Sequence, residues 1–580
     1  MLAGRRRLPV LPRPRRRHLQ VQRVPGVGDG GGDGGRRGRG RAGGVLRGRA
    51  RRRPARPGGG HGADVLAGAG RAATPPGVVQ GARPDRSRRA AAAEPQRQGR
   101  SGGRPGAGEG GAARVSAPLL RRLAARYGTP LYVYDLDEAR AAHAELARSV
   151  PAGSHLFYSL KANPFPPLVR GLLDAGARAE VCSRGELDTA LAEGAAPGSC
   201  LYTGPGKTED ELGHAIARGV RLFSVDSPTD LARLGLCARR AGTPVKAILR
   251  LNPADYPRGA GLAMGGAPSQ FGADVAWVRA SPERFRADGV ELVGYHVYVG
   301  TNIDDVDGLM GWFALALDAV RQAQEALRLR LETVDLGGGF GHPYARPGDR
   351  PAWPGLAERL ASLLADLPRA AGPPSGRGDA PPVVAFESGR YLAGGCGTLV
   401  LGVQDVKRSK DERFVIADGG INVLGGMQGL RRVPPIMAGV LPLAEPGPDG
   451  AEAAADGAEA DGAAVLAGPL CTALDLLNHR ARLPGAAPGD LLAVPNVGAY
   501  GLTAALLAFL GRDAPAEVAV DAGGVRAALR LETAYRRVPE RDEANAANEM
   551  NAANEVNRVN GADGASGPDG RATGERAEMR

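Results

Sequence analysis

HLFYSLKANPFPPLVRGLLDAGARAEVCS, residues 155–183, decides the fold. An apolar run ends in a polar turn carrying Lys161, a helix-like stretch follows, and a second apolar run begins at Ala177. Strand, helix, strand is the unit of a parallel sheet, and the rhythm repeats along the chain. Further strand candidates are CLYTGP (200–205), RLFSVDS (221–227), VKAILRLN (245–252), LVGYHVYVG (292–300), TVDLGGGF (333–340) and VVAFESG (383–389). Helical stretches lie between them, among them GELDTALAEGA (185–195), the run 304–327 and GLAERLASLLADL (355–367). Eight units in about 250 residues predict an α/β chain closed as a (β/α)8 TIM barrel over residues 140–390. A doubly wound sheet shows the same alternation, but eight consecutive units in this length favour closure.

Beyond Arg390 the pattern becomes β alone: GTLVLGVQDVKRS (397–409), RFVIADGGI (413–421), LLAVPNVGAY (491–500) and APAEVAVDAG (514–523). A C-terminal β-barrel-like domain is expected over 391–540, joined by TPLYVYDLD (129–137) from the segment 115–139. Residues 444–463 read as an acidic, mobile insertion and 541–580 as a disordered low-complexity tail.

The net charge of +13 first suggests a nucleic-acid partner, but its location argues otherwise. Residues 1–114 hold 27 Arg against 6 Asp or Glu, a net of +21, which leaves the rest of the chain at −8. This segment has no Lys, Asn, Ile, Phe, Tyr or Trp. Such a composition buries too little apolar surface to offset its ordering entropy, so disorder is expected. Without aromatic platforms for bases, an inert tail or a start placed too far upstream explains it better than an RNA-binding arm. No nucleic-acid or membrane partner is expected, because no apolar run reads as a signal or a span. Five cysteines without CxxC spacing argue against zinc and disulfides, and the default location is the cytoplasm.

Polar residues gather at the carboxyl ends of the strand candidates, where barrel enzymes build their sites. Lys161 is the first. A lysine at a buried strand end is costly unless paired or used covalently, and a desolvated amine is suited to Schiff-base chemistry; a snorkelling lysine is the plainer alternative. Gly337, Gly338 and Gly339 offer backbone amides to a phosphate, with Arg390 as its cation, although a glycine run is also simply a turn. Glu387 is the discriminating group. A carboxylate against a pyridine nitrogen keeps it protonated and makes the ring a strong electron sink, which decarboxylation needs.

YSLKAN, GYHVYVGTN, VDLGGGFG, ESGRY, GPLCTALD and GAYG occur in this order between about Pro130 and Val538. In that order they resemble the fold-type III decarboxylases that use pyridoxal 5'-phosphate (PLP), the family of diaminopimelate, ornithine and arginine decarboxylases. The resemblance implies PLP as cofactor, Lys161 as the Schiff-base lysine and Glu387 as the partner of the pyridine nitrogen. It implies a phosphate site from Gly337, Gly338, Gly339, Arg390 and Thr301, with Tyr500 adding a hydroxyl. Glu180, Ser183 and Arg250 match polar positions around the ring. Cys471 would be the general acid, delivered across a homodimer interface, although a cysteine in a β domain is more often a small buried hydrophobe. Asp475 matches a substrate-contacting carboxylate. No metal site is expected.

Two positions depart from the family pattern. Tyr298 stands where a histidine usually stacks on the ring, with His296 two residues earlier on the same face. Thr472 follows Cys471 where diaminopimelate decarboxylases have Glu and the basic decarboxylases Asp. Together with DGGINVLGGMQGLRRV (418–433), this looks more like decarboxylases of secondary metabolism, some of which act on conjugated or carrier-linked amino acids. Arg431 and Arg432 would then serve a substrate carboxylate or a carrier phosphate, surface arginines being the commoner explanation. The leading expectation is decarboxylation of an amino acid in the manner of diaminopimelate decarboxylase, with a conjugated substrate as the alternative. A racemase fits Glu387 and Cys471 poorly, and a non-catalytic regulator fits poorly with so many ligands kept.

Overall fold

A computed structural model of the chain describes residues 115–253, 268–298, 300–365, 367, 381–425, 437–443 and 463–538. The expectations for 1–114, for 444–462 and for 541–580 lie outside the described residues, as do Arg431 and Arg432. Ala463, read as the end of the insertion, instead opens the strand Ala463–Ala467.

Each predicted barrel run forms a strand. In order they are His155–Ser159, Arg178–Val181, Leu201–Tyr202, Leu222–Val225, Val245–Asn252, Val290–His296, Thr333–Asp335 and Val383–Ser388. All eight are parallel, and the last pairs with the first from Ala385–His155 to Ser388–Tyr158, which closes the barrel. Side chains cap the helices between them. Ser183 opens Arg184–Ala192 by accepting the Glu186 amide, and Thr208 forms a reciprocal capping box with Glu211 at Glu209–Ala217.

The barrel interior changes character along each strand, because side chains two apart share a face. Phe157, Leu201, Ile248, Val293 and Ala385 form a separate apolar cluster, with Leu222 packed against it. One step further along, the same faces carry Ser159, Ser224, Arg250 and Glu387. An oily plug thus sits beneath a polar layer at the carboxyl ends of the strands. Strands six and seven approach so closely that a Cβ on Gly294 would overlap the Thr333 carbonyl.

The second domain is a nine-stranded mixed sheet with the order Leu476–Arg482, Ala463–Ala467, Glu412–Ala417, Gly397–Ser409, Leu131–Asp135, Ala516–Asp521, Gly524–Arg530. Leu491–Val494 pairs with Gly397–Ser409 and with the short Leu441–Pro442. Residues 115–139 do contribute a strand, Leu131–Asp135, between Gly397–Ser409 and Ala516–Asp521. They also contribute a helix, Ala117–Tyr127, whose buried Leu120, Leu123 and Ala124 pack on this sheet. Among the described residues no helix is long and apolar enough to cross a membrane, and all five cysteines are free.

Candidate active site

Lys161 lies two residues past the first barrel strand, in the short 3-10 turn Leu160–Ala162. The β domain holds that turn in place: the Tyr500 amide donates to the Ala162 carbonyl at 2.7 Å, and Asn163 Nδ2 donates to the Gly498 carbonyl at 2.8 Å. YSLKAN and GAYG are therefore one construction, and the cleft forms where the two domains meet. It is lined by Lys161, Tyr298, Thr301, Gly339, Glu387, Arg390 and Tyr500, among others.

The Lys161 amine donates to both Glu180 oxygens, at 3.1 and 3.2 Å. Burial disfavours its charge, but Glu180, Cys182, Glu387 and Tyr500 outweigh that penalty and hold the amine well above its ordinary range. Burial alone would raise the carboxyl of Glu180, which is fully enclosed. Lys161 and hydrogen bonds from Ser159, Thr203 and Cys182 overcome it and keep Glu180 ionised.

The floor of the cleft is a cluster that the sequence only half revealed. Glu387 (3% exposed), His296 (1%) and Asp335 (0%) each bring one ligand-type atom within 4.8 Å of the other two. Among the described residues, Glu387 Oε1, His296 Nε2 and Asp335 Oδ2 have no hydrogen-bond partner. Burial, then Glu180 and Asp335, push the Glu387 carboxyl far above the carboxylate range. Asp335 is pushed to about 7, chiefly by burial and against the Gly337 amide that it accepts. Burial and the nearby cations Arg250, Lys161 and Lys207 keep His296 neutral. Asp335, which immediately precedes the glycine run, escaped the sequence reading; an acidic residue inside a buried strand was the available signal.

At the other end, Gly337 and Gly339 have φ of +65° and +100°. A Cβ on Gly337 would lie 2.6 Å from the Tyr298 ring, and one on Gly338 would overlap the Glu387 carbonyl. Only glycine fits such an approach. The Arg390 guanidinium lies 4.9 Å from the Tyr500 ring centroid and 5.7 Å from that of Tyr344, and its Nε has no hydrogen-bond partner among the described residues. Tyr298 stands 6.0 Å from the Lys161 amine, and Arg250 lies between the rings of Tyr298 (5.9 Å) and Phe271 (4.6 Å).

Four expected residues lie outside the lining of this cleft. Ser183 does not line the cleft; its hydroxyl serves as the helix cap described above. Asp475 is 2% exposed, and its carboxylate accepts the Ile421 and Leu470 amides at 2.8 and 2.7 Å. These two bonds tie the loop that carries it to the turn at Ile421. The hydroxyl of Thr472 accepts the Leu474 amide. At the tip of this loop Cys471 is exposed and does not line the cleft of its own chain.

The family described as "Pyridoxal-dependent decarboxylase, pyridoxal binding domain" matches residues 136–394. Among curated proteins the chain is similar to an L-glutamyl-[BtrI acyl-carrier protein] decarboxylase of Niallia circulans, 30% identical over 72% of this chain and 94% of the relative. It is also similar to a diaminopimelate decarboxylase of Methanothermobacter thermautotrophicus, 32% identical over 71% of this chain and 91% of the relative. Among solved structures, diaminopimelate decarboxylase from M. jannaschii in complex with L-lysine shares the fold. That likeness has a TM-score of 0.57 at 24% identity, over 70% of this chain and 90% of the other.

Proposed function

The chain belongs to the fold-type III PLP-dependent decarboxylases, and from that premise we propose which of its residues carry the removal of an amino acid's α-carboxylate. It is a carboxy-lyase, and PLP is its cofactor. The residues present fit that group. The single observation that carries the assignment is Glu387: a fully buried carboxyl with an unpartnered oxygen, opposite a paired lysine and a glycine cradle.

Gly337, Gly338, Gly339, Thr301, Arg390 and Tyr500 would hold the phosphate, with Tyr298 against the ring. When bound, PLP supplies a carbonyl to an amine and a ring that accepts the electron pair left by departing CO2. Lys161 supplies the amine, and Glu180 orients it. Glu387 holds a proton in the bare protein; with PLP bound it would face the ring nitrogen, since a carboxylate opposite a protonated nitrogen is the arrangement that burial tolerates. The same three floor atoms would suit a divalent cation in geometry, but two raised carboxyls and a neutral imidazole match a ring nitrogen equally and belong to the cleft described.

Cys471 would return a proton to the substrate carbon from the second subunit of a homodimer. Its exposure at the tip of a pinned loop, beside Leu474 at 59% exposure, supports presentation to a partner. This reading places the protein in the cytoplasm. Two substrates fit: meso-diaminopimelate, or an amino acid joined to a carrier. Thr472 and the likeness to a decarboxylase named for a carrier-linked glutamyl group favour the second. CO2 release by PLP-loaded protein tests this, on meso-diaminopimelate, lysine, ornithine, arginine, glutamate and carrier-linked amino acids. Absence of release from every substrate, with the cofactor bound, would refute it.

A further inference from the structure

Of the three residues on the cleft floor, Glu387 is assigned to the ring nitrogen and Asp335 accepts the Gly337 amide, which leaves His296 without a task. Its imidazole ends the strand Val290–His296 and is held from behind. Ser224 Oγ, on the strand Leu222–Val225 and 0% exposed, lies 2.9 Å from His296 Nδ1. The other ring nitrogen, Nε2, stands 3.6 Å from Glu387 Oε1. Both of these facing atoms are buried and lack a hydrogen-bond partner among the described residues. Among those residues Glu387 is also the one carboxyl within ion-pairing distance of Nε2.

Two buried polar atoms left unpaired are costly, and a shift of about half an ångström would bring this pair into hydrogen-bond range. Which of them supplies the hydrogen depends on Glu387. Protonated, as in the bare protein, Glu387 donates to an Nε2 that carries no hydrogen. Ionised, it can only accept, so the imidazole must carry its hydrogen on Nε2. Ser224 suits both states, because a hydroxyl can accept from Nδ1 or donate to it. Burial and the cations Arg250, Lys161 and Lys207 keep a second proton off the ring, so its single N–H takes one side or the other.

The second state is the one that decarboxylation needs. A hydrogen bond to a charged group favours its charged form. Without that bond, burial, Glu180 and Asp335 all draw a proton onto Glu387. A nitrogen opposite a protonated carboxyl would be bare, and its ring a weaker electron sink.

Resting on the decarboxylase reading above, we infer that His296 is the positioning residue of Glu387. Its Nε2–H donates to Glu387 Oε1 and leaves the other carboxylate oxygen for the ring nitrogen, while Ser224 holds the imidazole from behind.

The test uses the full-length, PLP-loaded enzyme and two substitutions that divide the imidazole between them. Gln carries an N–H out to the Nε2 position, whereas Asn ends near the Nδ1 position and leaves Glu387 unpaired. The first readout is the 15N shift of PLP labelled at its ring nitrogen, which separates a protonated from a bare nitrogen with no substrate present. His296→Asn should lose the protonated signal, and His296→Gln should recover part of it. In His296→Asn kcat for CO2 release should fall at least roughly tenfold with KM little changed, and His296→Gln should recover it in step with the signal. Melting temperatures report folding separately. A protonated ring nitrogen in His296→Asn would overturn the inference, as would equal losses in the two variants, which mark a packing role. The wild type offers a check that needs no substitution: 15N shifts of the labelled imidazole should place the His296 hydrogen on Nε2 in the loaded enzyme. A hydrogen on Nδ1 there would also overturn the inference. Silence on every substrate, with a protonated ring nitrogen that His296→Asn loses, would sink the decarboxylase reading alone.

Discussion

Replacing Glu387 with Gln separates the chemistry of the site from its stability. In the bare protein the Glu387 carboxyl is 3% exposed and burial keeps it protonated, so a neutral amide of nearly the same shape is a mild change there. The difference appears with the cofactor. A carboxylate holds a proton on the ring nitrogen through a charge-assisted bond worth about 1.5–3 kcal/mol, and an amide forms no such bond. If that bond serves the step that loses CO2, kcat should fall about 10- to 150-fold. The assay is CO2 release at saturating substrate, with cofactor occupancy followed by absorbance and the bare protein's melting temperature measured in parallel. The pH dependence has a definite sign. The folded state keeps a proton that the unfolded state releases near the ordinary carboxyl value, so wild-type stability declines as pH rises above that value. The variant's curve should be flatter. A Glu387→Gln enzyme with kcat within twofold of wild type would refute the reasoning. A variant that melts far below wild type without cofactor would show that the carboxyl is structural instead.

Other expectations follow from the same geometry. Gly337→Ala forces a Cβ to within 2.6 Å of the Tyr298 ring at a φ of +65°, so stability should fall by about 1–3 kcal/mol and cofactor affinity with it, read by thermal melting and PLP titration. Lys161→Ala and Cys471→Ala should each be inactive alone, and their mixture should regain partial activity through hybrid dimers; no recovery after verified subunit exchange would rule out a shared site. Glu517 is buried beside the Tyr134 hydroxyl at 2.9 Å, and burial pushes it to about 7. Its raised value costs stability as pH climbs from about 4.5 to 7, so Glu517→Gln should be more stable than wild type at pH 8 by up to about 3 kcal/mol, measured by denaturant unfolding at both ends of that window. Deleting residues 1–114 should leave CO2 release intact, because every residue assigned to the site lies beyond that segment.

The barrel was legible in the sequence because each strand joins an apolar plug to a polar rim, and both leave marks at fixed spacing. Phe157, Ser159 and Lys161 show the pattern in five residues. Where a strand has no buried face the signal vanishes. Gly524–Arg530 is exposed at nearly every position and was not anticipated. Ala463–Ala467 and Leu476–Arg482 do bury residues, but the first follows directly on the low-complexity run and the second is interrupted by Asn478, His479 and Arg480, so neither shows an apolar alternation. The helix Ala117–Tyr127 was hidden by its arginines, although Leu120 and Leu123 carry its periodicity. Lys161, Glu180, Glu387, Arg390 and Tyr500 converge as their motifs suggested. Asp335 did not declare itself, because its raised titration depends first on burial inside the closed barrel and then on Glu180 from another strand. The bonds from Asp475 to the Ile421 and Leu470 amides were not legible in its motif, because Ile421 reaches it from 54 residues away.

The strand Leu131–Asp135 has a consequence for how this chain can be made. It precedes the whole barrel in the sequence, yet its neighbours are Gly397–Ser409 and Ala516–Asp521, and Tyr134 bonds to Glu517 across 383 residues. During synthesis it must wait, with both edges bare, until nearly all of the barrel has emerged. An unpaired apolar strand is a template for the wrong neighbour, so crowded nascent chains should be prone to misassociation at this point. Nor can the barrel be freed by cutting after Arg390, since the fragment would keep a strand whose sheet was left on the other piece. What looks like two domains is sewn shut by its first strand, and the two halves should melt as one.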